Sequence, residues 1–157
     1  MAPVTIEGVE GLRELVGETI GPSDWIEITQ SDIDKFAEVS RDDQWIHVDR
    51  ERAERESPYG TTVAHGNLTL SLIDGFRRQL ISQTGVAMGI NYGWNKVRFP
   101  APVLTGSRVR ATAEVLSVEE VGEGWWQVVT RFLVEGEGQE KPVCVAESVG
   151  RALIPAG

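Results

Sequence analysis

Cysteine is nearly absent: Cys144 is the single one in a chain of 157 residues. One thiol cannot close an intrachain disulfide, and it excludes a cysteine-rich metal site. Flanked by Val143, Val145 and Ala146, it reads as a small buried hydrophobe on a strand rather than a reactive thiol. Histidine is scarce too. His47 and His65 are the two present, with no HExxH-type spacing, so a zinc site built on them and Asp42 is not supported, and no metal or other cofactor is expected. Basic residues are outnumbered 24 to 15, for a net charge of −9. That excludes a nucleic-acid surface, which needs a basic stripe to displace counterions, yet a local Arg and Lys cluster could still oppose the global sign and hold a small anion. Long apolar runs are missing as well. No stretch approaches the roughly 20 residues of a membrane span, and the acidic N-terminus lacks the sustained apolar segment of a signal peptide. A cytoplasmic protein is expected.

What is present is ordinary for a globular chain: 41% hydrophobic and 25% charged residues. The length suits one domain, 1–157, with a single core, and neither an internal repeat nor a linker divides it. Residues 1–11 are poor in pattern and read as a loose terminus, followed by a short amphipathic turn or helix through Leu12, Leu15 and Val16. Trp25–Thr29 alternates at period two, as a first strand would. Ser31 is placed as the N-cap of a helix over about 32–40, with Asp32 and Asp34 in its first turn and Ile33, Phe36, Ala37 and Val39 on its apolar side. A second, charged helix runs from Asp49 to Arg55, and Glu56 to Gly60 form a turn.

From Val63 to about Ile81 the pattern changes. Leu68, Leu70, Leu72, Ile73, Phe76 and Leu80 make a helix that is apolar around much of its circumference, so it is expected to be buried with a wall wrapped around it. Ser82 to Gly85 end it. Four β segments follow: Met88–Phe99, Arg108–Val115, Trp125–Val134 and Val143–Ile154. One buried helix, four later strands and one earlier strand predict an α+β fold with an antiparallel sheet.

Two stretches carry the chemistry. In Asp42-Asp43-Gln44-Trp45-Ile46-His47 a carboxylate and an imidazole stand five residues apart on a loop. In Tyr59-Gly60-Thr61-Thr62-Val63-Ala64-His65-Gly66 a glycine opens the apolar helix. Acid, imidazole and helix start together make a candidate site for proton transfer to or from a bound acyl group.

Ser40 to His47, with Asp49 and Ala53 behind, resembles the signature loop of the MaoC-like dehydratases, the (R)-specific enoyl-CoA hydratase family. Ala64-His65-Gly66 and the Phe99-Pro100-Ala101-Pro102-Val103 pattern before Gly106 are similar to the same family. Gln44-Trp45 stands where an Asn-Pro pair is typical. The resemblance implies a hot-dog fold, an antiparallel sheet wrapped around a long central helix at about 63–81, and a homodimer joined along a sheet edge. It implies (R)-specific hydration of trans-2-enoyl-CoA to (R)-3-hydroxyacyl-CoA, with Asp42 and His47 as the catalytic pair. It also implies Gly66 as a backbone N–H donor to the thioester oxygen and Ser71 as a supporting hydroxyl. Trp45, Tyr59 and His65 are the candidate substrate contacts. Asp43 by a one-residue shift, and His65 as a second base, remain open as alternatives.

The chemistry asks for these groups. Hydration adds water at C3 and a proton at C2 while negative charge builds on the thioester oxygen. A carboxylate and an imidazole can hold and deprotonate one water near neutral pH. Oriented N–H groups at a helix start suit the enolate-like oxygen. The rivals are the same chemistry on an acyl-carrier-protein thioester, a thioesterase attacking C1, and a non-catalytic acyl-thioester-binding subunit. For the anionic coenzyme, Arg77, Arg78, Lys96, Arg98, Arg108 and Arg110 are the candidate cations.

Overall fold

The computed structural model describes residues 2–155, so Met1 and residues 156–157 of the expected domain lie outside it. In chain order the elements are β1 (Val4–Glu7), α1 (Gly8–Glu14), β2 (Thr19–Ile20), β3 (Ile26–Glu27), α2 (Gln30–Ser40), α3 (Trp45–Val48) and α4 (Arg50–Glu56). Then come α5 (Gly66–Ser71), α6 (Ile73–Leu80), β4 (Ile81–Thr84), β5 (Met88–Arg98), β6 (Arg108–Gly122), β7 (Trp125–Gly136) and β8 (Cys144–Leu153). The large sheet has the order β2-β6-β7-β8-β5, with β3 also on β6, and every pairing in it is antiparallel.

The inward face of the sheet closes over the helix pair, as the α+β expectation required. Ile73, Phe76 and Leu80 fall on one side of α6 at spacings of three and four residues, and each is fully buried. They meet Val109, Ala111 and Ala113 of β6, Phe132 and Val134 of β7, and Cys144 and Ala146 of β8. Alanines at three of those strand positions let the helix approach the sheet closely. Each large side chain buried this way contributes about 1.5–3 kcal/mol. Burial pushes the Cys144 thiol up to about 11, which keeps it protonated and inert.

The central helix differs from one unbroken run over 63–81. Val63 precedes it as an isolated bridge to Leu104, and a break at Leu72 divides α5 from α6. The cause is local. The Ser71 hydroxyl donates to the Leu68 carbonyl at 2.6 Å, the acceptor that the Leu72 N–H would use in a regular α-helix. The Leu72 N–H turns to the Thr69 carbonyl at 3.2 Å instead, and α6 resumes when the Phe76 N–H reaches the Leu72 carbonyl at 3.0 Å.

Other boundaries also shift. Thr29, not Ser31, caps α2, because Thr29 and Asp32 bond reciprocally: the Asp32 N–H donates to Thr29 Oγ1 at 3.2 Å and the Thr29 N–H to Asp32 Oδ2 at 3.0 Å. The Thr29 N–H and, at 2.8 Å, the Thr29 hydroxyl both donate to Asp32 Oδ2 and hold the Asp32 carboxyl below its usual range. The first strand shrinks to Ile26–Glu27, and a two-residue β2 joins it. The N-terminal residues are not loose: β1 pairs in parallel with β4, Val4 opposite Ile81 through Glu7 opposite Thr84.

Candidate active site

Everything at the site hangs on how α2 stops. Arg41 adopts a left-handed conformation (φ 66°) that ends the helix and turns the chain outward. The Asp42 N–H then donates to Ser40 Oγ at 3.3 Å, and the Asp42 carboxylate is left exposed. One helical turn later, α3 carries His47 into the interior, where it is 6% exposed.

The His47 ring is fixed by its backbone surroundings. Its Nδ1 lies 2.7 Å from the Val63 carbonyl oxygen. A carbonyl can only accept, so Nδ1 holds the proton and the neutral ring keeps a bare lone pair on Nε2. Burial pushes its pKa below the ordinary 6.5, and neighbouring His65 adds to that, while the Val63 bond and Asp42 act the other way. The ring is therefore neutral, the form that accepts a proton.

His65 completes the arrangement. It is 2% exposed and stacks on His47 with ring centroids 3.8 Å apart and planes 21° from parallel. Its Nε2–H donates to the Asp42 backbone carbonyl at 2.9 Å, tying the acid's loop to the start of α5. Phe36 packs against its other side at 4.9 Å. Its Nδ1 is buried with no hydrogen-bond partner among the described residues. Asp42, His47 and His65 each place one side-chain atom within 4.8 Å of the others. Such a trio could be asked to hold a metal ion, but near-parallel stacked rings aim their in-plane lone pairs side by side, whereas a cation needs them to converge.

Gly66 opens α5, so its N–H is among the first-turn donors that have no partner inside the helix. A Cβ there would sit 2.9 Å from two carbons of the partly exposed Phe99 ring, which would have to turn aside to admit one. Gly66, Tyr59, Ala64, Thr69, Phe99 and Val103 line a cavity of about 220 Å³, whose lining does not include Asp42, His47 or the candidate substrate contact His65. Tyr59 thus shares a cavity with the proposed donor. Trp45 does not line it, and holds the Arg52 guanidinium over its ring at 4.4 Å. Ser71 spends its hydroxyl within its own helix, and no hydrogen bond joins it to Asp42 or His47. Asp43 is exposed and stands apart from the trio.

One contributor escaped the sequence reading. Gln30 is buried, donates from Nε2 to the His47 carbonyl at 2.7 Å and to Asp34 at 2.8 Å, and accepts the Thr62 hydroxyl. It clamps the α3 turn against the segment leading into α5. Of the candidate cations, Arg108 and Arg110 are paired with Glu137 and Glu135.

A family model described as the MaoC-like domain matches residues 12–135. The chain belongs to the MaoC-like family. Among MaoC-like relatives, the 3-hydroxyacyl-thioester dehydratase Z of Mycobacterium tuberculosis is 51% identical over 147 residues, 94% of this chain and 97% of its own. The solved structure of R-hydratase PhaJ1 from Pseudomonas aeruginosa is similar with a TM-score of 0.67 at 26% identity, covering 93% of this chain and 86% of that one. A monoamine oxidase regulatory protein from Archaeoglobus fulgius shares the fold, with a TM-score of 0.79 over 99% of this chain and 100% of its own, at 24% identity. This MaoC-like chain has the expected hot-dog fold. No helix of the described residues is long and apolar enough to cross a membrane.

Proposed function

We propose that the chain catalyses the reversible hydration of a trans-2-enoyl thioester, with coenzyme A or an acyl carrier protein as the thiol, to the (R)-3-hydroxyacyl thioester. One observation carries the reading: a neutral His47 with a bare Nε2, held beside the Asp42 carboxylate in a three-residue cluster spanning no more than 4.8 Å. Two hydrogen bonds of about 2.8 Å meeting at one water oxygen span a gap of that size. Asp42 orients the water, and His47 Nε2 takes its proton as the C3–O bond forms. Charge collects on the thioester oxygen, where the Gly66 N–H opposes it. The imidazolium then returns the proton to C2 on the same face, so the atoms of one water end on C3 and C2. Asp42 stabilises the imidazolium while it lasts.

The relative's name, a 3-hydroxyacyl-thioester dehydratase, supports the thioester class and the same reaction in reverse. A homodimer formed along β5 belongs to this reading. That strand is the edge of the sheet and leaves Met88 48%, Ile90 42% and Tyr92 59% exposed. The test is crotonyl-CoA hydration, followed by loss of enoyl absorbance and with the product offered to (R)- and (S)-specific dehydrogenases. Signal through the (R)-enzyme alone is expected. A strong (S)-signal, or free thiol released without hydration, would overturn the proposal.

A further inference from the structure

The turn that carries His47 is short. α3 spans only Trp45–Val48, and a single turn has little stability of its own. The chain leaves it at Asp49 in an extended conformation, so the His47 carbonyl finds no partner inside the helix. Gln30, at the start of α2, meets that carbonyl from outside. Its Nε2 donates to the His47 carbonyl at 2.7 Å and to Asp34 Oδ1 at 2.8 Å. Both partners only accept, so turning the amide over would set oxygen against oxygen. Gln30 Oε1 is thereby held toward the Thr62 hydroxyl, which has to donate to it.

Thr62 immediately precedes Val63, whose carbonyl receives the proton of His47 Nδ1 at 2.7 Å. The same stretch is fixed along its backbone, by the Val63 N–H on the Ile46 carbonyl and the Thr105 N–H on the Thr62 carbonyl, each at 3.0 Å. The bonds close a ring. From the His47 carbonyl it runs through the Gln30 amide, the Thr62 hydroxyl and the Val63 carbonyl, and returns to His47 Nδ1. One side chain thus holds both the backbone of the base and the segment that supplies its acceptor. A neutral imidazole has two tautomers, and the acceptor it faces chooses between them. Gln30 is 7% exposed and Thr62 0%. Apolar side chains would fill those places without desolvating polar groups, whereas a fully bonded network admits one arrangement.

We propose that Gln30 and Thr62 are positioning residues for the base: together they keep the Val63 carbonyl on Nδ1, and so keep Nε2 the bare nitrogen. Neither lines the cavity that Gly66 and Phe99 share, so both act through His47. The inference rests on the reading of His47 as the base, yet it concerns a tautomer that can be read without turnover.

Long-range proton–nitrogen NMR spectra of the whole protein distinguish a protonated ring nitrogen from a bare one. The His47→Gln spectrum identifies the His47 signals by their loss. In the unaltered protein at neutral pH, Nδ1 should be protonated and Nε2 bare. Gln30→Met and Thr62→Val each remove one polar group from the ring, and thermal melts confirm that each variant is folded. In both, the His47 signals should divide between the two tautomers. For crotonyl-CoA, kcat should fall at least about fivefold, the worth of one hydrogen bond, with KM held within about twofold. Thr62→Ser keeps the hydroxyl, and should restore the single tautomer and most of kcat. Nδ1 still fully protonated in both Gln30→Met and Thr62→Val would overturn the proposal, whatever the change in kcat. A divided tautomer with undiminished kcat would overturn it too. Near-normal turnover in His47→Gln would remove the base assignment itself, and the tautomer spectra tell that failure from the other two.

Discussion

Asp42→Asn and His47→Gln should each lower the hydration rate by at least ~10²-fold while the melting temperature holds, because each removes one partner of the proposed water. Asp43→Asn should be mild in the same crotonyl-CoA assay. A large loss there would move the acid by one position. The pH dependence follows from the His47 environment. The base must be neutral, and burial lowers its pKa from 6.5, so kcat/KM should hold through pH 6.5 on acidification and fall only as pH drops through the lowered value. His65→Phe keeps an aromatic ring against His47 but loses the bond to the Asp42 carbonyl. A single hydrogen bond is worth about 1 kcal/mol, or roughly fivefold, and the loss should fall on kcat rather than KM. Asp42 and His47 were legible as candidates because six residues of contiguous sequence carry both. Gln30 was not, since its partners lie 17 and 32 residues away and nothing local marks it. Nor could spacing state which His47 nitrogen holds the proton. That depends on the Val63 carbonyl, brought in from 16 residues on.

The helices and strands divide by how much of each is buried. β7 and β8 alternate over many residues against a core, and their periodicity was readable. β1 escaped detection because only Ile6 of its four residues is buried, so no alternation develops. β4, likewise four residues, was read only as the helix end. The N-cap of α2 was misplaced by two residues because Thr29 and Ser31 are both competent caps, and only the Asp32 bond chooses between them. The Ser71 bond to Leu68 is the element-scale feature open to test. Ser71→Ala returns the Leu68 carbonyl to the Leu72 N–H, and should regularise the helix with a stability change within about 1 kcal/mol and turnover within about twofold. A collapse of turnover would instead give Ser71 a part in the chemistry. Gly66→Ala meets the Phe99 ring and should cost about 1–3 kcal/mol of stability by overpacking. Phe99→Leu in the same chain should recover part of it in a thermal melt.

At the scale of the whole molecule, β5 offers an unpaired row of backbone groups and a run of exposed apolar side chains along one edge. Light scattering at micromolar concentration should give twice the 17.2 kDa of one chain, and a fully active monomer would refute the dimer. The sheet-around-helix plan was legible because Ile73, Phe76 and Leu80 give the helix an apolar side that has to be enclosed, and the strands after it supply the enclosure. The placement of the solitary thiol has a use of its own. Cys144 is wholly enclosed between sheet and helix, and burial keeps it from ionising. An alkylating reagent therefore reaches it only when the two layers separate. Labelling rate then becomes a clock for global opening, with no engineered probe and no competing sulfhydryl: a ligand that tightens the fold should slow that clock by the factor it adds to stability.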